Sequence, residues 1–237
     1  MLGTDGMHSN TRKLAFGSES DYVTHLGHYY VLATLDAGED DVMYNEPGKM
    51  AALGGAKAPA FFVFASPLLP PARDNVDLQK QQVMDAYRDG KWRLPELMDK
   101  IPASNDFYMD SISRATLDHY SQGRVALVGD AAYGNALGGY GTGLAMVGAY
   151  VLAGELARAD GDYRQAFAAY EEKFRAYASV SQKINAGRLL APRTKLGIVA
   201  RNALFTALSL FGPLVAIFDK PATNIKLEEY DATLRVA

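Results

Sequence analysis

Residues 123–143, GRVALVGDAAYGNALGGYGTG, constrain the fold more than any other stretch of this chain. A short apolar, β-branched run, Val125-Ala126-Leu127-Val128, stops at Gly129-Asp130. A loop holding Gly134, Gly138, Gly139, Gly141 and Gly143 follows and opens a long apolar segment. The order strand, acidic residue, glycine-rich loop, helix start builds a place where a polar ligand can meet bare backbone. Glycines let a ligand approach closely, and the first turn of a helix offers unpaired N–H groups to negative charge. Asp130 at the strand end supplies an acceptor for ligand hydroxyls; its plainer role is to cap the helix that follows.

Around this segment the texture changes twice. Met1–Gly6 reads as a strand running into an Asp5-Gly6 turn, and Ser9–Phe16 as a short helix. From His28 to Ser66, the runs His28–Leu35, Asp41–Asn45, Lys49–Leu53 and Ala60–Ala65 are separated by turn chemistry and read as an antiparallel meander. Helices are expected over Asn75–Arg88 and Trp92–Ile101, with Pro95 in the first turn of the latter, and a strand over Phe107–Leu117. Leu144–Leu156 is apolar nearly all round and predicts a buried helix. The next helix carries Tyr163, Phe167, Tyr170, Phe174, Tyr177, Val180 and Ile184 on one face, which is the spacing of core packing. Ala203–Phe218 is an apolar run of sixteen residues, short of the ~20 needed to cross a bilayer, and reads as a buried or docking helix pair.

The residues quoted carry a resemblance. GRVALVGDAAYGNALGGYGTGLAMVGAYVLAGEL resembles the second FAD-binding motif of the flavin-dependent aromatic hydroxylases and related monooxygenases, and GTDGMHSNTR at residues 3–12 resembles their DG motif. The resemblance implies an α/β (α+β) architecture: a partial Rossmann-like FAD-binding domain, an inserted antiparallel sheet for substrate, and a C-terminal helical region. The expected divisions are 1–20 (DG motif), 21–120 (substrate domain), 121–160 (second FAD motif) and 161–237 (helical region). It implies that Asp130 holds the ribityl chain of FAD and that Gly129 lets the strand end against it. Gly139, Gly141, Thr142 and Gly143 would turn backbone toward the flavin, and Asp5, Gly6 and Arg12 would lie near the pyrophosphate. Tyr133 stands where many members carry His, and Asn135-Ala136-Leu137 replaces a Pro-containing loop. Tyr29, Phe62 and Phe64 are candidates for substrate contact, each more readily read as core. No catalytic acid or base is singled out.

The implied activity is hydroxylation of a hydrophobic or aromatic small molecule by molecular oxygen, through a flavin hydroperoxide, with NADPH or NADH as reductant. The alternatives are a non-catalytic FAD-binding fragment and a flavin-dependent reductase of the same fold. The family's G-x-G-x-x-G unit, which seats the ADP half of FAD, has no counterpart in the sequence. The expectation is an open sheet edge and an uncovered apolar face, and with them either poor solubility or a second chain that supplies the missing unit.

Charge and composition exclude other classes. A net charge of −3 gives no electrostatic footprint for nucleic acid, and the absence of cysteine removes disulfides and thiolate metal sites. His25 and His28 are three residues apart without carboxylates arranged around them, so no metal site is expected. No signal peptide is visible, and a cytoplasmic location is the default.

Overall fold

The computed structural model describes residues 1–55, 57–210 and 227–230. They group into two compact units, each drawn from separated stretches of chain. The first takes Met1–Thr24, Ser113–Ile184 and the C-terminal stretch that includes 227–230; the second takes His25–Ile112 and Asn185–Leu210.

The first unit contains β1 (Leu2–Gly3), α1 (Asn10–Ala15) and α2 (Glu19–Tyr22), then β7 (Ser121–Gln122), β8 (Val125–Leu127), α5 (Asp130–Tyr133), α6 (Gly141–Arg158) and α7 (Tyr163–Ser181). Its sheet has the order β1-β8-β7, with β1 parallel to β8 in the register Leu2 to Ala126 and Gly3 to Leu127. Among the described residues β1 is an edge strand of this sheet. Gly3 has no room for a side chain: a Cβ there would lie 2.6 Å from Leu127 and 2.7 Å from Thr11. That lets α1, capped by the Ser9 side chain at Arg12 N (2.9 Å), close over the strand.

The core of this unit joins Leu127, Val128, Ala131 and Tyr133 to Leu144, Val151 and Leu152 of α6 and to Phe167, Tyr170, Phe174 and Ala178 of α7. Of the stripe read from the sequence, Phe167, Tyr170 and Phe174 are core and Tyr163 and Tyr177 half-buried at its margins, whereas α7 ends at Ser181 and Ile184, beyond it, is exposed. α6 differs from expectation. Among the described residues it is buried along only part of its surface: Met146 (70% exposed), Ala149 and Ala153 are exposed, while Tyr150 packs its ring 5.3 Å from Tyr230 and donates to the Glu228 carbonyl (3.1 Å). A helix apolar all round has no preferred face in its sequence, so its pattern could not tell which side the fold covers.

The second unit contains β2 (Val23–Ala33, beginning two residues inside the first unit), β3 (Asp41–Glu46), β4 (Lys49–Gly54), β5 (Ala60–Ala65), α3 (Val76–Tyr87), α4 (Leu94–Lys100) and β6 (Phe107–Ala115, ending in the first unit), then α8 (Ala186–Leu190) and α9 (Lys195–Leu210). The five strands lie in the order β3-β4-β5-β2-β6, and the pairs β3–β4, β4–β5 and β5–β2 are antiparallel. One sheet face, with Tyr29, Val31, Ala51, Leu53, Phe62 and Phe64, is buried against Val83 and Tyr87 of α3 and Leu94 and Leu97 of α4. Tyr29, Phe62 and Phe64, candidates for substrate contact, are core residues on this covered face. The Tyr87 hydroxyl reaches the Met50 carbonyl (2.7 Å) and the Val63 carbonyl (2.9 Å), and burial pushes its ionisation far up. Tyr87→Phe is expected to destabilise the fold by about 1–2 kcal/mol, read from urea unfolding, because it removes the single buried hydroxyl donor that the two carbonyls share.

Residues 185–210 group with this sheet rather than with α7. None of α9 is buried, and Leu204, Phe205 and Leu210 of the Ala203–Phe218 run are exposed; 211–218 lie outside the described residues. The expected burial is therefore not found over 203–210. Among the described residues no helix is long and apolar enough to cross a membrane.

His28 is fully buried in this unit, with Nδ1 3.3 Å from the Leu26 carbonyl and Nε2 3.2 Å from the Ala191 carbonyl. Gly187 lies flat on the ring, where a Cβ would come within 2.4 Å. Burial holds the imidazole below its ordinary pKa; the two carbonyls oppose this, and the nearby Arg193 and His25 reinforce it. The unfolded chain therefore takes up a proton at mildly acidic pH that the folded chain refuses. Stability from this residue is complete above the unfolded pKa of about 6.5 and declines as pH falls through it toward the lower folded value. Denaturant midpoints measured from about pH 8 down to about pH 5 should fall less steeply for His28→Gln than for the parent. Equal slopes would remove His28 as the source.

Candidate functional site

Every residue singled out at the two motifs lies in the first unit. β8 delivers the chain to Gly129, which sits at φ +69° and ψ −143°, a conformation open in practice only to glycine. Its carbonyl accepts from Ala132 N and Tyr133 N, both at 3.0 Å, closing a tight turn. A Cβ at Gly129 would stand 3.2 Å from Ala145 on α6, so the strand end and that helix meet with no space for a side chain.

Asp130 follows this turn. It is exposed, accepts no hydrogen bond from a described residue, and has no cation beside it. Although its surface faces solvent, the apolar turn behind it desolvates the carboxylate and raises its pKa. Oδ1 lies 3.7 Å from where a Cβ of Gly141 would be, which places the carboxylate at the start of α6.

That helix start is bare. Tyr140, at the cap position, provides no side-chain hydrogen bond to the first turn. Thr142 and Gly143 are exposed, Gly141 is half-exposed, and a Cβ at Gly143 would meet nothing within 4 Å. An eighteen-residue helix thus presents uncapped amides to open space beside an unpaired carboxylate. The approach loop is conformationally unusual: Leu137 (φ 57°), Gly139 (φ 76°) and Tyr140 (φ 60°) are all left-handed. Two of these are bulky residues in a region that disfavours them.

The residues of the first motif are arranged differently. Asp5 accepts from Ser9 Oγ (2.5 Å), Thr11 N (2.9 Å) and Thr11 Oγ1 (3.1 Å). Partial burial would raise its pKa, but these bonds outweigh it and hold the carboxyl below its ordinary value. Gly6, at φ +81°, turns the chain with open space where a side chain would be. Arg12 is fully buried and staples this segment to α5: one terminal nitrogen donates to the Ala131 carbonyl (2.9 Å) and the other to the Met7 carbonyl (2.5 Å). Only its Nε has no partner among the described residues. The geometry brings Asp5 and Arg12 to the same neighbourhood as Asp130 but commits their polar atoms to shaping the loop. Tyr133 is core, with its ring 4.9 Å from Phe174 and 5.3 Å from Tyr120. His25 and His28 are each engaged with backbone carbonyls.

No profile of a known protein family matches the chain. Individual proteins do. A flavin-dependent monooxygenase of Legionella longbeachae is 36% identical over 193 residues, covering 77% of this chain and 49% of that protein. A second protein named a flavin-dependent monooxygenase is 35% identical over 193 residues, covering 77% of this chain and 50% of its own length. An FAD-dependent monooxygenase of Sarocladium schorii, asL6, is 26% identical over 250 residues, covering 97% of the chain and 59% of its own length. Among solved structures, the tetracycline destructase Tet(55) superposes with a TM-score of 0.76 at 30% identity, over 97% of this chain and 62% of that one. The chain spans about half the length of the two flavin-dependent monooxygenases.

Proposed function

We propose that the first unit binds FAD and that the chain forms part of a monooxygenase acting on a hydrophobic or aromatic small molecule, with oxygen as co-substrate and NADH or NADPH as reductant. The observation that carries this reading is the unpaired Asp130 carboxylate beside the uncapped start of α6. A carboxylate without an internal donor is an acceptor in waiting for ligand hydroxyls, such as those of a ribityl chain. The free amides at Thr142 and Gly143 favour a ligand edge on which negative charge develops. Gly129, Gly139 and Gly141 keep side chains out of the approach, while Asp5, Gly6 and Arg12 hold the neighbouring loop in shape. When bound, the flavin supplies the oxygen chemistry; the protein binds, orients and excludes water. The name of the tetracycline destructases supports a multi-ring substrate.

A second reading rests on β1 being an edge strand among the described residues. In it the chain holds only part of the flavin site, and a further strand and helix from a second chain complete it. The test is the visible absorption spectrum of the purified chain, followed by FAD titration. Flavin bands that stay with the protein through gel filtration support binding by the chain itself. A colourless protein that leaves added FAD free overturns that reading and directs the search to a complementing chain.

A further inference from the structure

The C-terminal end of α7 has no cap of its own. The last carbonyls of a helix need donors from elsewhere, and here they come from the residues that flank the glycine loop. Asn135 Nδ2 donates to the Ser181 carbonyl (2.5 Å) and to the Ile184 carbonyl (2.8 Å), and Arg114 donates to the Gln182 carbonyl (2.6 Å). Ser181 O otherwise receives only a long turn contact from Ile184 N (3.5 Å). The bonding is reciprocal, since Gln182 Nε2 donates back to the Tyr133 carbonyl (2.7 Å).

The backbone of the loop is pinned at the same place. Ala136 N donates to Ser113 O (2.9 Å), Ala115 N donates to Gly134 O (2.8 Å), and Gly138 N returns to Asn135 O (2.9 Å). Asn135 is 8% exposed, and its Oδ1 is buried without a partner, so burying this amide is justified by its donor side. Turning the amide over would aim its oxygen at two carbonyl oxygens, which fixes the orientation. Gly138 is shaped to the side chain: a Cβ there would fall 2.4 Å from Nδ2.

From this geometry we infer that Asn135 is the positioning residue of the cofactor loop: by capping α7 from outside, it fixes where the loop releases the chain into α6 and so where the amides of Thr142 and Gly143 point. The inference rests on the flavin reading for its functional consequence, but not for the clamp itself. Leu137 and Tyr140 hold left-handed conformations on the far side of Asn135, and a loop of that kind persists only where its ends are held.

Two measurements on the full chain test this. The first is amide hydrogen exchange without cofactor. Asn135→Ala should speed exchange across residues 136–143 and at the end of α7 by about tenfold or more, in keeping with the loss of two buried bonds. Exchange in α3 and α4 should stay unchanged. Asn135→Asp, which keeps the shape but has no donor when ionised, should be worse than Asn135→Ala. Should Asn135→Ala fold poorly, Gln182→Ala releases the clamp from its other side by a single bond and should give a smaller increase in the same residues.

The second measurement is FAD titration followed by the visible spectrum and circular dichroism of the bound flavin. The variants should bind more weakly by about tenfold and alter the dichroism, which a purely structural role would leave in its parental form. Uniform acceleration of exchange, parental exchange, or Asn135→Asp behaving as the parent would each overturn the inference. If the parent chain itself fails to bind FAD, the flavin reading falls, while the exchange pattern still decides whether the clamp exists.

Discussion

Asp130→Ala is expected to weaken FAD binding about ten- to a hundredfold, the equivalent of losing one or two charge-assisted hydrogen bonds, and to leave the thermal midpoint where it was. The two halves of this expectation have one origin. The Asp130 side chain makes no bond with a described residue, so its removal breaks none among them. Its carboxyl is held above the ordinary pKa by desolvation alone, so at neutral pH the ionised group is mildly unfavourable to folding. Asp130→Asn, which removes the charge and keeps the shape, should match or slightly exceed the parent in stability. Isothermal titration and differential scanning fluorimetry on the same samples separate the outcomes. A midpoint lowered by several degrees with unaltered FAD affinity would make Asp130 a helix cap and nothing more.

The largest stability effect should come from Phe174. Its ring is fully buried, 4.9 Å from Tyr133, 5.8 Å from Tyr170 and 6.2 Å from Tyr177, and it faces Gly148 on α6, where a Cβ would come 3.2 Å from it. Phe174→Ala is expected to cost about 3–5 kcal/mol, the range for emptying such a site. Phe174→Leu should recover most of that loss, since about 1 kcal/mol is typical when volume is nearly kept. Two probes in one urea titration localise the effect. Far-ultraviolet dichroism follows the helices, while Trp92, the single tryptophan, sits in the second unit stacked on Tyr44. A loss below 1 kcal/mol would show that the helices repack around the gap.

The parts of the fold that are legible from sequence are those whose signal is local. Ser9 caps the helix that its position predicts, and the runs read as a meander form the antiparallel strands β3, β4 and β5. The strand, tight turn, glycine loop and helix start at 125–143 are readable because backbone requirements there are written in glycine. The same logic explains what could not be read. Leu137 and Tyr140 adopt left-handed conformations without the glycine or asparagine that announces them. Asn135 looks like an ordinary loop residue, and its role depends on carbonyls 46 and 49 positions away. The resemblance places Arg12 near a phosphate; in the structure its guanidinium is instead buried on two carbonyls, with Glu19 at 3.9 Å, partners that only the folded chain brings together. The one clue was negative: the loop departs from its usual proline-containing form, so something else had to fix its shape.

The pairing of Leu2 with Ala126 also sets an order of events during synthesis. Parallel partners so far apart in sequence carry a large loop-closure entropy and form late. At a ribosomal pace of about 5–20 residues per second, β1 waits roughly 6–25 seconds before its partner has been made. Through that interval Leu2 has no β8 to pair with, while the strands of the second unit's sheet are all made before β8 is. The cradle around Asp130 is therefore among the last features of this chain to acquire its shape, and its assembly is the stage most exposed to mispairing.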